Sequence, residues 1–196
     1  MKTRDFLFVV LCAESFTLIF NDFSRAYQAG YWQWISIIIF PVISLICFWF
    51  AGLFSKKHRF FLQIAKYILV GIFITLVDLK VFEFLWLILT LEITGIVFLY
   101  KGVSFIVATF IKYWGNKIWV FEKLDGQNII KEGAIFFLAT IIGLLIDVTV
   151  FFYFVRILGP QFGIPVLIWT KISVILAALT AAIWNFLGYK FLVFKK

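Results

Sequence analysis

The chain has 196 residues, 64% of them hydrophobic and 14% charged, with a formal net charge of +8. No soluble domain of that length has enough interior to hide so much apolar surface, and the long unbroken runs exclude a β-barrel, whose short strands alternate. The remaining class is an all-α polytopic membrane protein.

A bilayer core of about 30 Å takes about 20 helical residues, and six such segments are predicted, at roughly 6–21, 32–54, 64–90, 97–119, 134–158 and 166–188. The first follows Met1-Lys2-Thr3-Arg4 in the manner of a signal peptide. Glu14 interrupts it and no small-x-small cleavage site follows, so it reads as a retained helix. Cys12 and Cys47 fall in apolar segments and are expected as buried thiols, not as a disulfide or zinc site. The third segment is long enough to tilt or to extend past the headgroups. Ser55-Lys56-Lys57-His58-Arg59 separates a two-helix extension, 1–60, from a four-helix domain, 61–196. Within that domain Leu124–Lys131 reads as a polar linker, with Asp125-Gly126 as its turn signal.

Loop charges orient the chain. One side collects Lys2, Arg4, Lys56, Lys57, Arg59, Lys66, Lys112, Lys117, Lys123, Lys131, Lys190, Lys195 and Lys196; the other has only Arg25, Lys101, Arg156 and Lys171. Basic loops stay in the cytoplasm, so both termini are expected there, and the positive charge serves topology and anionic lipid, not nucleic acid. Tyr31, Trp32, Trp34, Trp86, Tyr100 and Trp169 would form the outer aromatic belt, and Tyr113, Trp114, Trp119, Trp184 and Tyr189 the inner one.

A heptapeptide occurs twice. Gly115-Asn116-Lys117-Ile118-Trp119-Val120-Phe121 returns as Gly188-Tyr189-Lys190-Phe191-Leu192-Val193-Phe194, each copy closing a long apolar segment. Upstream of each copy an Asp sits within an apolar run, Asp78 and Asp147. The spacing predicts two two-helix repeats, 64–123 and 132–196. Each begins and ends on the same side, so the repeats are parallel and related by an axis along the membrane normal.

An unpaired carboxylate near the midplane costs about 2.5–3.5 kcal/mol on insertion scales, so Asp78 and Asp147 are expected to be protonated, to be paired, or to line a wet route. An interhelical hydrogen bond from a neutral acid is the plainer alternative. Lys80 and Glu83, three apart on one helix, are expected to pair. Arg156 is placed to snorkel. Lys117 and Lys190 occupy matched helix ends, with Asn116 before the first and Asn185 one turn before the second. Ammonium and amide together suit a phosphate, by charge and by orienting hydrogen bonds; each Lys alone would also serve as a headgroup anchor. Ala177-Ala178 and Ala181-Ala182, with Gly188, read as close helix packing. The chain has one His, His58, and no nucleotide fingerprint, P-loop, hydrolase triad or Cys/His cluster, so no cofactor, metal or catalytic residue is expected.

Residues 63–196 resemble the GtrA-like family. The likeness lies in Lys66-Tyr67-Ile68-Leu69-Val70-Gly71 leading to Thr75-Leu76-Val77-Asp78, then Asn116–Phe121, and finally Asn185–Phe194 at the chain end. The resemblance implies a small four-helix membrane protein that moves a polyprenyl-phosphate-linked sugar between leaflets for cell-surface polysaccharide synthesis, where a membrane glycosyltransferase uses it. On that reading Lys117 and Lys190 capture phosphate, while Asp78 and Asp147 bind sugar hydroxyls or carry a coupling proton. A homo-oligomer or partner enzyme would complete the route. The chain departs from the family by its two extra N-terminal helices and by Lys117, where many members have Arg. The rival reading is a scaffold that recruits or stabilises a glycosyltransferase. A membrane transferase is disfavoured for want of a loop that would hold a nucleotide. A proton-coupled exporter of small cations is a further reading of the acids.

Overall fold

The computed structural model describes residues 3–26, 30–55, 59–89, 94–123 and 128–195. Lys2, Lys56, Lys57, His58, Lys196 and the Asp125-Gly126 turn lie outside the described residues, as do the side chains of Arg25, Trp32 and Lys171. Among the described residues there are six long helices and no strand: α1 Thr3–Ala26, α2 Gly30–Ser55, α3 Arg59–Leu89, α4 Thr94–Gly115, α5 Ile129–Phe152 and α6 Val166–Gly188. Three π-helical segments, Asn116–Val120, Tyr153–Leu158 and Tyr189–Val193, continue α4, α5 and α6.

Four described stretches are long and apolar enough to cross a membrane: Gln33–Ser55, Arg59–Ile88, Ile129–Leu158 and Ile172–Val193. Their outward faces are apolar, as with Ile38 and Trp49 on α2 or Leu145 and Val148 on α5. Helices that are apolar all round satisfy their backbone internally and take lipid as solvent, so the protein is a multi-pass membrane protein. Exposed hydroxyls on these helices bond back one turn, Thr75 to the Gly71 carbonyl (3.0 Å) and Thr180 to that of Leu176 (2.8 Å), which keeps these two donors satisfied toward lipid. The linker is shorter than predicted, because Ile129-Ile130-Lys131 already form the first turn of α5.

The chain divides into two compact units, Met1–Glu122 and Lys123–Lys196. In the first, α1 packs on α2 and α3, and α3 on α4. The α1–α2 seam is polar and small: Ser36 Oγ donates to Asn21 Oδ1 (3.0 Å), and Thr17 Oγ1 donates to the Ser36 carbonyl (3.4 Å). Trp119 closes the unit. Its ring stacks on Phe8 (4.9 Å between centroids) and lies parallel to Phe48 (6.3 Å), and it is 0% exposed. Trp119 is therefore a core residue, not a member of an interfacial belt. Cys12 is buried as expected; Cys47 is exposed on α2.

In the second unit α5 packs on α6. Ala177 and Ala181, one turn apart, are buried, whereas Ala178 is exposed. The Trp184 indole N–H donates to the Ala139 carbonyl (3.1 Å), and Trp169 to that of Phe154 (2.8 Å). These two rings thus tie α6 to the α5 segment.

Candidate functional site

Both copies of the heptapeptide form the same turn. Asn116–Val120 and Tyr189–Val193 are π-helical and close on bonds from Phe121 N–H to Asn116 O (2.9 Å) and Phe194 N–H to Tyr189 O (2.7 Å). Each is preceded by a glycine set close to the other helix of its hairpin. A Cβ on Gly115 would lie 3.2 Å from Val70, and one on Gly188 would lie 3.6 Å from Ala139. Val70 and Ala139 are separated by the same interval as Asp78 and Asp147. A single-turn π segment carries an extra residue within a helix and re-aims the side chains beyond it.

The matched lysines have different surroundings. Lys117 is 3% exposed; its Nζ donates to the Tyr113 hydroxyl (3.0 Å) and lies over the Tyr113 and Trp114 rings. Lys190 is half-buried, with its ammonium over Phe186 (5.9 Å) and Phe191 (5.6 Å). The asparagines stand apart from them. Asn116 is fully buried, donates from Nδ2 to the Lys112 carbonyl (2.8 Å) and has no partner for Oδ1. Asn185 presses its amide onto Gly143 of α5, where a Cβ would meet Oδ1 at 2.3 Å. Its buried Oδ1 also lacks a hydrogen-bond partner. Neither amide is bonded to its lysine.

The two acids differ as well. Asp78 takes a charge-assisted bond from Lys101 Nζ and a second from Ser104 Oγ (2.7 Å), both on α4. Pairing is therefore how Asp78 is accommodated. Asp147 is half-buried and makes no hydrogen bond or ion pair among the described residues. It lies one turn beyond Gly143 on α5, so Asn185 and Asp147 share a face of the α5–α6 seam. Thr140 extends that line, bonded to the buried Tyr189 hydroxyl at 2.7 Å. The Lys80–Glu83 pair forms as its spacing predicts (2.8 Å) and is joined by Asp22 of α1 at 2.6 Å.

One cluster has no counterpart in the sequence reading. Lys66 is 3% exposed; its Nζ lies 3.2 Å from Asp5 and 2.9 Å from Glu122, and 5.7 Å from the Trp119 ring centroid. The Trp119 indole N–H donates to Asp5 Oδ1 (2.9 Å), and Arg4 reaches Glu122 at 3.4 Å. Glu122 adopts φ +50°, a left-handed conformation that costs a non-glycine residue about 1–2 kcal/mol and is held here by two cations. Burial pushes the Asp5 carboxyl up, but the Trp119 N–H and the charges of Lys66 and Arg4 outweigh it and hold it below its ordinary value.

A depressed folded-state value means that stability is complete above the ordinary Asp range, about 3.9, and is lost as pH falls through the folded value. Thermal unfolding in detergent is expected to weaken as pH drops below about 4, and Asp5→Asn to remove that part of the slope. Trp119→Phe keeps the ring stack and deletes the N–H donor. It is expected to cost about 1–2 kcal/mol in the same measurement.

A family model described as the GtrA/DPMS transmembrane domain matches residues 66–194. No curated protein and no solved structure matches the chain. The matched region runs from Lys66, at the buried ion cluster, to Phe194, which closes the second π-helical turn, and takes in α4, α5 and α6 whole. The chain belongs to the GtrA/DPMS transmembrane-domain family.

Proposed function

We propose that the protein carries a polyprenyl-phosphate-linked monosaccharide across the cytoplasmic membrane, with both termini cytoplasmic, for a membrane glycosyltransferase that builds cell-surface polysaccharide. It catalyses no covalent step. The observation that carries this reading is the α5–α6 seam, where Asp147 and the Asn185 carbonyl stand as acceptors without partners among the described residues, in helices apolar enough to span a bilayer. Acceptors left open inside a membrane helix pair suit a ligand that brings its own hydroxyls. Lys190, half-buried at the cytoplasmic end, is the better placed of the two lysines to meet a phosphate; Lys117 is enclosed by rings. The two long helices of the second unit enclose little volume, and a second copy or the partner enzyme completes the route.

The test is reconstitution in liposomes with a labelled polyprenyl-phosphate hexose, following its exposure on the opposite leaflet. Protein-dependent exposure is expected. Its absence from folded protein, with the partner enzyme added as well, would reject the carrier and leave the scaffold reading.

A further inference from the structure

α1 runs beside the membrane-spanning stretch of α3. Asp5 is tied to Lys66 (3.2 Å) and Asp22 to Lys80 (2.6 Å), so the two helices stay together from one end of α1 to the other. Glu14 stands between these ties, nine residues from Asp5 and eight from Asp22, and so about 12–14 Å from either along the helix. Asp5 and Asp22 are paired; Glu14, half-buried, makes no hydrogen bond or ion pair among the described residues.

The face of α1 that carries Glu14 turns away from the helices on which α1 packs. Leu7, Leu11 and Leu18 are 61%, 48% and 50% exposed, whereas Val9, Cys12, Ala13 and Thr17 are buried. Leu7, Leu11, Glu14 and Leu18 follow one another at intervals of four, three and four, the spacing by which two helices mesh along a common seam. Lipid tails would suit the leucines and leave the carboxyl bare, a costly arrangement within a bilayer. A second α1 suits both. Copies of a membrane protein insert the same way up, so two of them meet about an axis along the membrane normal. α1 then lies parallel to α1, and each seam residue faces its own counterpart. Leucine packs on leucine, and the two carboxyls meet. Like charges that close do not both ionise, so one carboxyl keeps its proton and donates it in a hydrogen bond to an oxygen of the other. A carboxyl is in this way its own complement.

We infer that the Leu7–Leu11–Glu14–Leu18 face of α1 is the contact between two copies of this chain, with Glu14 bonded to its counterpart at the centre. The N-terminal extension thereby has a task of its own. The inference stands on α1 and does not depend on the carrier reading.

The experiment uses the full chain in liposomes. With Cys12 and Cys47 replaced by alanine, Leu7→Cys, Leu11→Cys and Leu18→Cys are introduced singly and oxidised, with Ile38→Cys on the exposed face of α2 as the control. Disulfide-linked dimers are expected from the three α1 positions and not from Ile38→Cys, and are expected to survive dilution with lipid. Energy transfer between copies labelled at the C-terminus gives the dissociation constant, and decides the matter by itself if the cysteine variants do not fold. Glu14→Leu is expected to raise that constant about tenfold, the loss of one interhelical hydrogen bond in a membrane; Glu14→Gln, whose amide both donates and accepts, should leave it within about threefold. Cross-linking as strong at Ile38→Cys as on α1 would overturn the inference, as would a dissociation constant that Glu14→Leu does not raise. Chains that stay monomeric as lipid is withdrawn would also overturn it, and would give this face to a different membrane protein. Neither assay involves translocation, so the dimer and the carrier fail separately.

Discussion

Asp147→Asn is expected to slow translocation about 10–100-fold, the worth of one hydrogen bond to a charged group, while shifting thermal unfolding little. The reason is its setting: Asp147 supports no neighbour among the described residues, so removing its charge releases nothing in the fold. Asp78→Asn is expected to behave oppositely. The amide oxygen still accepts from Ser104, but the Lys101 ammonium loses its counter-charge, at a cost of about 1–2 kcal/mol in unfolding. Translocation should then fall only as far as the folded fraction does. Parallel measurement of rate and unfolding midpoint for both variants decides the matter. Equal loss of rate from both, with unfolding unchanged in both, would return the acids to equivalent roles.

Gly143→Ala is expected to be the most damaging single-methyl change in the second unit. Its Cβ would fall 2.3 Å from Asn185 Oδ1, 2.6 Å from Nδ2 and 2.7 Å from Cγ. An amide cannot be compressed to that extent, so either Asn185 leaves its rotamer or α5 and α6 separate, a cost of about 1–3 kcal/mol. Asn185→Ala in the same chain removes the obstruction and should recover most of that loss. Contacting residues of this kind show non-additive energies, which a double-mutant cycle of unfolding midpoints reads directly. Translocation should not return with the fold in the double variant, because the open carbonyl is gone.

Much of the architecture was legible in the sequence because it depends on local periodicity. Six apolar runs became six helices, and the repeated heptapeptide became two π-helical turns of one form. Lys80 and Glu83 were legible as a pair because one helix sets their geometry. Contacts that depend on the register of two helices were not. Asp78 meets Lys101 across 23 residues, and nothing in either helix alone announces it. The seating of Asn185 on Gly143 likewise needs the α5–α6 register, although a glycine within a membrane helix signals close approach. Trp119 was misplaced for a further reason. Its position at a helix end fits an interfacial ring, and only the arrival of α1 and α2 makes it interior.

The bond from Trp119 to Asp5 spans 114 residues. In membrane assembly, helices insert first and associate afterwards. At typical synthesis rates the ribosome needs on the order of ten seconds to make that stretch. Throughout that interval the Asp5 carboxylate waits for its indole, and Lys66 joins it only when α3 emerges. The first helix made thus completes its polar contacts only when the first unit is nearly finished, and a chain arrested before α4 would present an incompletely paired acid, a mark by which an unfinished molecule differs from a finished one.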